Sequence, residues 1–196
     1  MTALQLITPP ASEPLTAAEA KLHSRITISA DDALVTSDII AARQKAEHIT
    51  GRALMPQTWT LWLDAFPTRY LEILLPNPPL VSITEVKYID PDGILQTWSS
   101  SLYKIDVVNE PGRIVPAWQQ SFPDTRAEIN AVQIKFVCGY ANAAAVPQQI
   151  KNWMFLQIAS LYEMRESVSL GMEAKEIPNR FTDSLLDAYI IGRSGM

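Results

Sequence analysis

The stretch 31–67, DDALVTSDIIAARQKAEHITGRALMPQTWTLWLDAFP, changes its hydrophobic period once, and that change limits what the chain can become. Val35, Ile39, Ala42, Ala46 and Ile49 recur at helical spacing, with Thr36, Asp38, Arg43, Lys45 and Glu47 on the other faces. Gly51 stands where a left-handed residue would release the helix. Beyond Pro56 the pattern alternates: Trp59, Leu61 and Leu63 fall on one face, Thr58, Thr60 and Trp62 on the other. An amphipathic helix therefore hands over to a strand, and a helical part of the fold meets a β part here. Ser29, three residues before Asp32, reads as a capping box with a short acid.

Before this helix, Pro9, Pro10 and Pro14 deny residues 1–14 a helix, so the segment reads as extended. It is either a frayed terminus or an arm that docks on a neighbouring subunit. Thr16 and Glu19 form a capping box for a short first helix whose apolar side is Leu15, Ala18, Leu22 and Ile26.

From 51 to 145 the signals are β. Nine of the fourteen prolines lie between Pro56 and Pro123, punctuating short segments. The expected strands are 57–63, 70–75, 82–89, 94–98, 102–108 and 129–138, with a short one around Ile114. The run IDPDG at 89–93 has hairpin-turn chemistry. Asp90 and Asp92 lack the further oxygen ligands of a calcium loop. Trp118 and Phe122 either tuck under the sheet or meet another chain, and tucking is the expectation. Cys138 falls in the apolar set Val132, Ile134, Phe136, Cys138 and reads as a core thiol.

A third helix follows Pro147, with Ile150, Trp153, Met154, Ile158 and Leu161 as its stripe and Phe155 and Tyr162 widening it. So wide a stripe needs more than one neighbour, and the two N-terminal helices supply them. Residues 166–179 read as a loop, and 182–191 as a last short helix with Leu185, Leu186, Tyr189 and Ile190 inward. The fold class is thus α+β: a helical bundle built from N-terminal and C-terminal helices, with an inserted, mainly antiparallel β domain. The divisions are 1–50, 51–145 and 146–196.

Candidate chemistry is sparse. His23 and His48 are twenty-five residues apart, at no metal or triad spacing, and no metal or cofactor is expected. Ser99–Ser101 lack a nucleophile elbow, and Asp64, Asp106 and Asp124 have no spacing that joins them, so no catalytic residue and no enzyme is expected. A single cysteine excludes an intrachain disulfide. The net charge of −5 is spread along the chain, with no basic patch for gripping phosphates. No apolar run reaches the length of a membrane span, and MTALQLITPP has no secretion-signal pattern, which leads to an expectation of cytoplasmic folding.

The strings AARQKAEHITGRALMPQTWTLWLDAFP and LLPNPPLVSITEVKYIDPDG carry a resemblance. A helix ending in T-G-R, a Q-T-W strand, a proline-rich connection, a D-x-D-G hairpin, a strand ending in G-Y and a helix after V-P follow in that order. This resembles the head-tail connector (adaptor) proteins of tailed bacteriophages and prophages. The resemblance covers roughly residues 15 to 192, although the plainest connectors are almost wholly helical. It implies a structural protein: a dodecameric ring that attaches beneath the portal protein, extends the DNA channel and offers a docking surface to tail or stopper proteins. DNA would pass without sequence-specific binding, and no membrane is involved. Assembly would occur in the host bacterial cytoplasm, and the product would sit in the virion at the head-tail junction. Candidate interface residues are Arg43, Glu47, Trp153, Gln157 and Glu166. A reading from another class is a carbohydrate-type ligand module or small enzyme, with Trp98, Trp118 and Tyr103 as stacking platforms.

Overall fold

The structure, a computed structural model, describes residues 2–68, 72–163, 182 and 184–191. Among these residues the fold is α+β, with three α-helices of eight residues or more and two antiparallel sheets. Among the described residues strands outnumber helices, so this part is richer in sheet than a helical-bundle framing implies. The chain divides into two compact units, each assembled from separate stretches of sequence. One takes residues 1–11, 56–140 and 191–196, and the other takes 12–55 and 141–190.

In the helical unit, α1 (Ala17–Ser24), α2 (Asp32–Thr50) and α3 (Gln148–Glu163) pack on one another. The Thr16 and Glu19 capping box forms: the Glu19 amide donates to Thr16 Oγ1 at 3.2 Å, and the Thr16 amide to Glu19 Oε2 at 2.8 Å. The apolar side of α1 is narrower than its spacing suggests. Ala20 is buried instead of Ala18, and Leu22 stands 82% exposed. The Ser29 box does not form. Asp31 is the N-cap of α2 without a side-chain cap bond, its carboxylate accepts the Tyr162 hydroxyl at 2.6 Å, and Asp32 pairs with Lys21. Both acids are thus engaged by neighbouring elements.

Helix α2 buries Val35, Ile39, Ala42 and Ala46 and ends at Gly51, whose φ of 69° is the left-handed conformation its sequence position requires. On α3, Ile150, Trp153, Met154 and Ile158 are buried, whereas Leu161 is 44% exposed at the last turn. Of the expected helix 182–191, the described residues show Thr182 helical, a turn at 184–186 and a 3-10 helix at Asp187–Tyr189. Leu186 is fully buried there, and Arg52 Nε donates to the Tyr189 carbonyl at 2.7 Å.

In the sheet unit, five strands run in the order β1 (Thr2–Thr8), β2 (Gln57–Leu63), β8 (Val132–Cys138), β4 (Leu80–Ile89) and β5 (Leu95–Thr97). All neighbours are antiparallel. A second sheet runs β3 (Ile73–Leu75), β7 (Gly112–Pro116), β6 (Tyr103–Asp106). Residues 2–8 are therefore a paired strand, in register from Thr2 opposite Leu63 to Leu6 opposite Trp59. Strand β8 alternates as its sequence dictates, with Val132, Ile134, Phe136 and Cys138 buried. Opposite it, Trp59 faces Phe136 and Leu61 faces Ile134.

The IDPDG turn forms around Asp90. Its Oδ1 accepts the amides of Asp92 at 3.1 Å and Ile94 at 2.8 Å, while Oδ2 accepts Gln96 Nε2 at 2.9 Å. These bonds hold the Asp90 carboxyl below its ordinary pKa, the Gln96 side chain contributing most. The carboxylate is a turn former.

Candidate assembly surfaces

The residues singled out on α2 and α3 form two separate groups, Arg43 with Glu47 and Trp153 with Gln157. Arg43 is buried, at 6% exposure, although its helical position assigns it to the wet face. Its Nε donates to Glu13 Oε2 and its Nη1 to Glu47 Oε2, both at 2.7 Å. Burial works against the guanidinium's charge, but the two carboxylates outweigh it and raise the pKa above the ordinary arginine value. Glu47 uses its other oxygen, Oε1, to accept the Leu54 amide at 2.9 Å. Trp153 is fully buried on α3, with Lys45 Nζ above its ring at 5.7 Å from the centroid. That ammonium also donates to Gln157 Oε1 at 2.8 Å, on the exposed side of the same pair of helices. Glu166 lies outside the described residues.

Lys45 is exposed and Gln157 half-buried, and both meet above the buried Trp153. Sequence reasoning misses Glu13 and Lys45. Glu13 lies thirty residues before its partner in a proline-flanked segment, and the alkyl stem of Lys45 is indistinguishable by pattern from that of any surface lysine. His23 stacks on Phe155 at 5.0 Å and 17°, an edge contact between α1 and α3.

In the sheet unit the proposed stacking platforms do not line a site. Trp98 is 4% and Tyr103 8% exposed, and their rings lie 4.9 Å apart in a cluster with Phe66 and Phe122. Phe122 stacks on Phe66 at 5.1 Å, as the tucked reading requires. Burial pushes the Tyr103 phenol up from its ordinary pKa. Trp118 does the opposite of tucking: it is 84% exposed, in a turn where Gln119 takes a φ of 60°. The aromatic cluster is complete without it.

An open groove of about 450 Å³ is lined by Lys104, Ile105, Asp106, Val107, Val108, Arg113 and Val115. Its Asp106 and Arg113 are engaged with each other and with neighbouring side chains. Asp106 Oδ2 accepts from Asn109 Nδ2 at 2.6 Å and from Arg113 Nε at 3.0 Å, and Arg113 Nη1 reaches Glu72 at 2.8 Å. Asp64 accepts the Asn130 amide at 3.1 Å. Among the described residues, no three His, Cys, Asp or Glu side chains converge as metal ligands, and no helix is long and apolar enough to cross a membrane.

No protein-family model matches the chain, and no curated protein does. Solved structures do. The chain is similar to a chain from the virion of a native gene transfer agent (GTA) particle, at 24% identity and a TM-score of 0.77. It is similar to one from the neck of an empty GTA particle computed with C6 symmetry, at 24% and 0.78. It is also similar to one from the neck of a native GTA particle computed with C12 symmetry, at 22% and 0.73. Each likeness covers 97% of this chain and 96% of the other. At these identities what is shared is the fold, over the whole chain.

Proposed function

We propose that the chain is a structural protein of the neck of a tailed-phage or phage-like particle, a head-tail connector that forms a ring beneath the portal. The observation that carries this reading is the fold likeness, at 97% of this chain and 96% of the neighbour's, to chains of GTA necks computed with C6 and C12 symmetry. In a ring of twelve, each copy presents two different surfaces, and the rotation between copies closes. Such a ring extends the DNA channel, seats on the portal and receives a tail or stopper protein, with no chemistry of its own. The net charge of −5, without a basic patch, suits a wall past which DNA slides instead of sticking.

The helices built from 1–50 and 146–196 act in this reading as a bundle for subunit contacts, with 51–145 as an inserted β domain. Arg43, Glu47, Trp153, Gln157 and Glu166 mark the parts of this bundle that meet the neighbour. Assembly takes place in the bacterial host, and the product resides at the head-tail junction of the particle.

The test is the mass of the purified protein across a concentration series, by size exclusion with light scattering, alone and with the cognate portal. A closed ring, formed alone or on the portal, is expected. A monomer that ignores the portal at every concentration sinks the proposal.

A further inference from the structure

The five-stranded sheet ends in two strands that lack the usual protection of an edge. Edge strands commonly carry a lysine, a proline or an inward charge that keeps other chains away. Strand β1, TALQLIT, has neither charge nor proline, and the run 94–101 that contains β5, ILQTWSSS, has neither as well. Among the described residues, no strand pairs with the outer edge of β1 or of β5.

Both strands also carry aliphatic side chains that their own unit leaves uncovered. Six of the seven β1 residues are exposed, Leu6 and Ile7 at 41% and 44%, so β1 contributes little to the core on which it lies. At the opposite end of the sheet, Ile94 and Leu95 are 58% and 61% exposed. The other long edge is guarded. Where β5 stops covering β4, the inner ladder of β4 with β8 has register shifts between Leu80 and Ser82 and between Ile83 and Glu85, bulges of the kind that bend an edge strand.

We infer that β1 of one copy pairs with β5 of the next copy of this chain, so that the sheets join end to end around the ring. This rests on the ring reading above and names its closing contact. Direction follows from topology. Four successive antiparallel pairings separate β1 from β5, so the two strands run the same way, and a rotation about an axis along the strands brings them together as a parallel pair. The contact is head-to-tail, with two different edges per copy, as ring closure needs. Backbone donors and acceptors give the attachment, and Leu6 and Ile7 cover Ile94 and Leu95 across the joint. Five strands at about 4.8 Å spacing span about 24 Å, so twelve copies close a belt about 90 Å across.

The competing geometry is a two-fold pair. TALQLIT is nearly palindromic about Gln5, so an antiparallel β1 pair would set Gln5 against Gln5, Leu4 against Leu6 and Thr2 against Thr8. The experiment separates the two. Gln5→Cys, Thr97→Cys and the double variant are assembled on the portal and treated with a short thiol-reactive cross-linker, with the wild type, whose Cys138 is buried, as the control. The double variant is expected to give a ladder of oligomers, and each single variant only monomer. Dimer from Gln5→Cys alone would establish the two-fold pair and overturn the inference. A ring seen by light scattering without a ladder in the double variant would overturn it while leaving the connector reading intact. Failure of the wild type to form any ring would remove both. As a second arm, Leu6→Lys, at an exposed position, should raise the concentration needed for assembly at least tenfold while leaving the circular dichroism spectrum unchanged. Assembly at the wild-type concentration would count against the edge contact.

Discussion

Arg43 and Glu47, one turn apart on α2, are joined by a 2.7 Å hydrogen bond from Nη1 to Oε2, with only 7% and 16% of their side chains exposed. An i,i+4 ion pair on an open helix face contributes a few tenths of a kcal/mol. This one is shielded, shares its guanidinium with Glu13, and through Glu47 ties the helix to the buried Ala53, Leu54 and Met55. Arg43→Ala leaves two carboxylates facing each other without a cation, and should cost about 3 kcal/mol. The urea midpoint of the signal at 222 nm is the readout, and a loss below about 0.5 kcal/mol would mean that water reaches the site.

Trp153→Ala removes the largest fully buried side chain of the helical unit. A loss of about 3–5 kcal/mol is expected, against about 1–2 for Trp153→Phe. If Trp153→Ala unfolded the isolated protein while ring assembly by the folded fraction went on unimpaired, Trp153 would be a core residue alone, with no part in subunit contact.

Gly51→Ala places a Cβ on a residue with φ of 69°. The expected cost is about 1 kcal/mol, from the left-handed strain, with no change in oligomeric state. Thermal denaturation of the variant checks it.

Acid should loosen the hairpins before it touches the core. The Asp106 carboxyl is held well below the usual carboxylate range, first by the Asn109 side chain, then by the Asn109 and Val108 amides and by Arg113. Glu19 is lowered by the Thr16 backbone and side-chain bonds, and Glu85 by Lys87. Each folded-state value lies below the unfolded one. Their stabilisation is therefore fully present above about pH 4.5 and is lost as pH falls through the lowered folded values. Asp106→Asn should flatten the acid limb of a stability profile taken between about pH 2 and 6. An unchanged limb would show that the hairpin bonds persist in the unfolded chain.

Trp118→Ser should change stability by no more than about 0.5 kcal/mol, because the indole packs on nothing that the fold needs. The same substitution should remove most of the iodide-quenchable tryptophan emission. A larger stability loss would place the indole in contact with its own chain.

Much of the fold is written locally. The switch at Gly51, the alternation of β8 and the Asp90 turn each follow from residues within a few positions of one another, and each appears in the structure where the pattern puts it. What the sequence hides depends on distant partners. Arg43 sits at a polar helical position and is buried because Glu13, from another segment, neutralises it. The extended reading of 2–8 is correct as to conformation, but nothing local says that β2, some fifty residues on, will take it into a sheet. Trp118 is misjudged because aromatic character does not distinguish a cluster already filled by Phe66, Trp98, Tyr103 and Phe122 from one that needs another ring. The surfaces proposed for assembly are the least legible of all, since an exposed edge leaves no periodicity behind.

The interleaving of the two units along the chain has a consequence for biogenesis. As the polypeptide leaves the ribosome, β1 waits for β2, and β2 in turn waits for β8, which lies some seventy residues further on. Helices α1 and α2 likewise wait for α3. Synthesis must pass Cys138 before the sheet core closes and reach α3 before the helical one does, so a product stalled before β8 presents the uncharged β2 without its inner mate. Chaperone dependence during translation, and aggregation of C-terminally shortened chains, follow from the order in which the pieces are made.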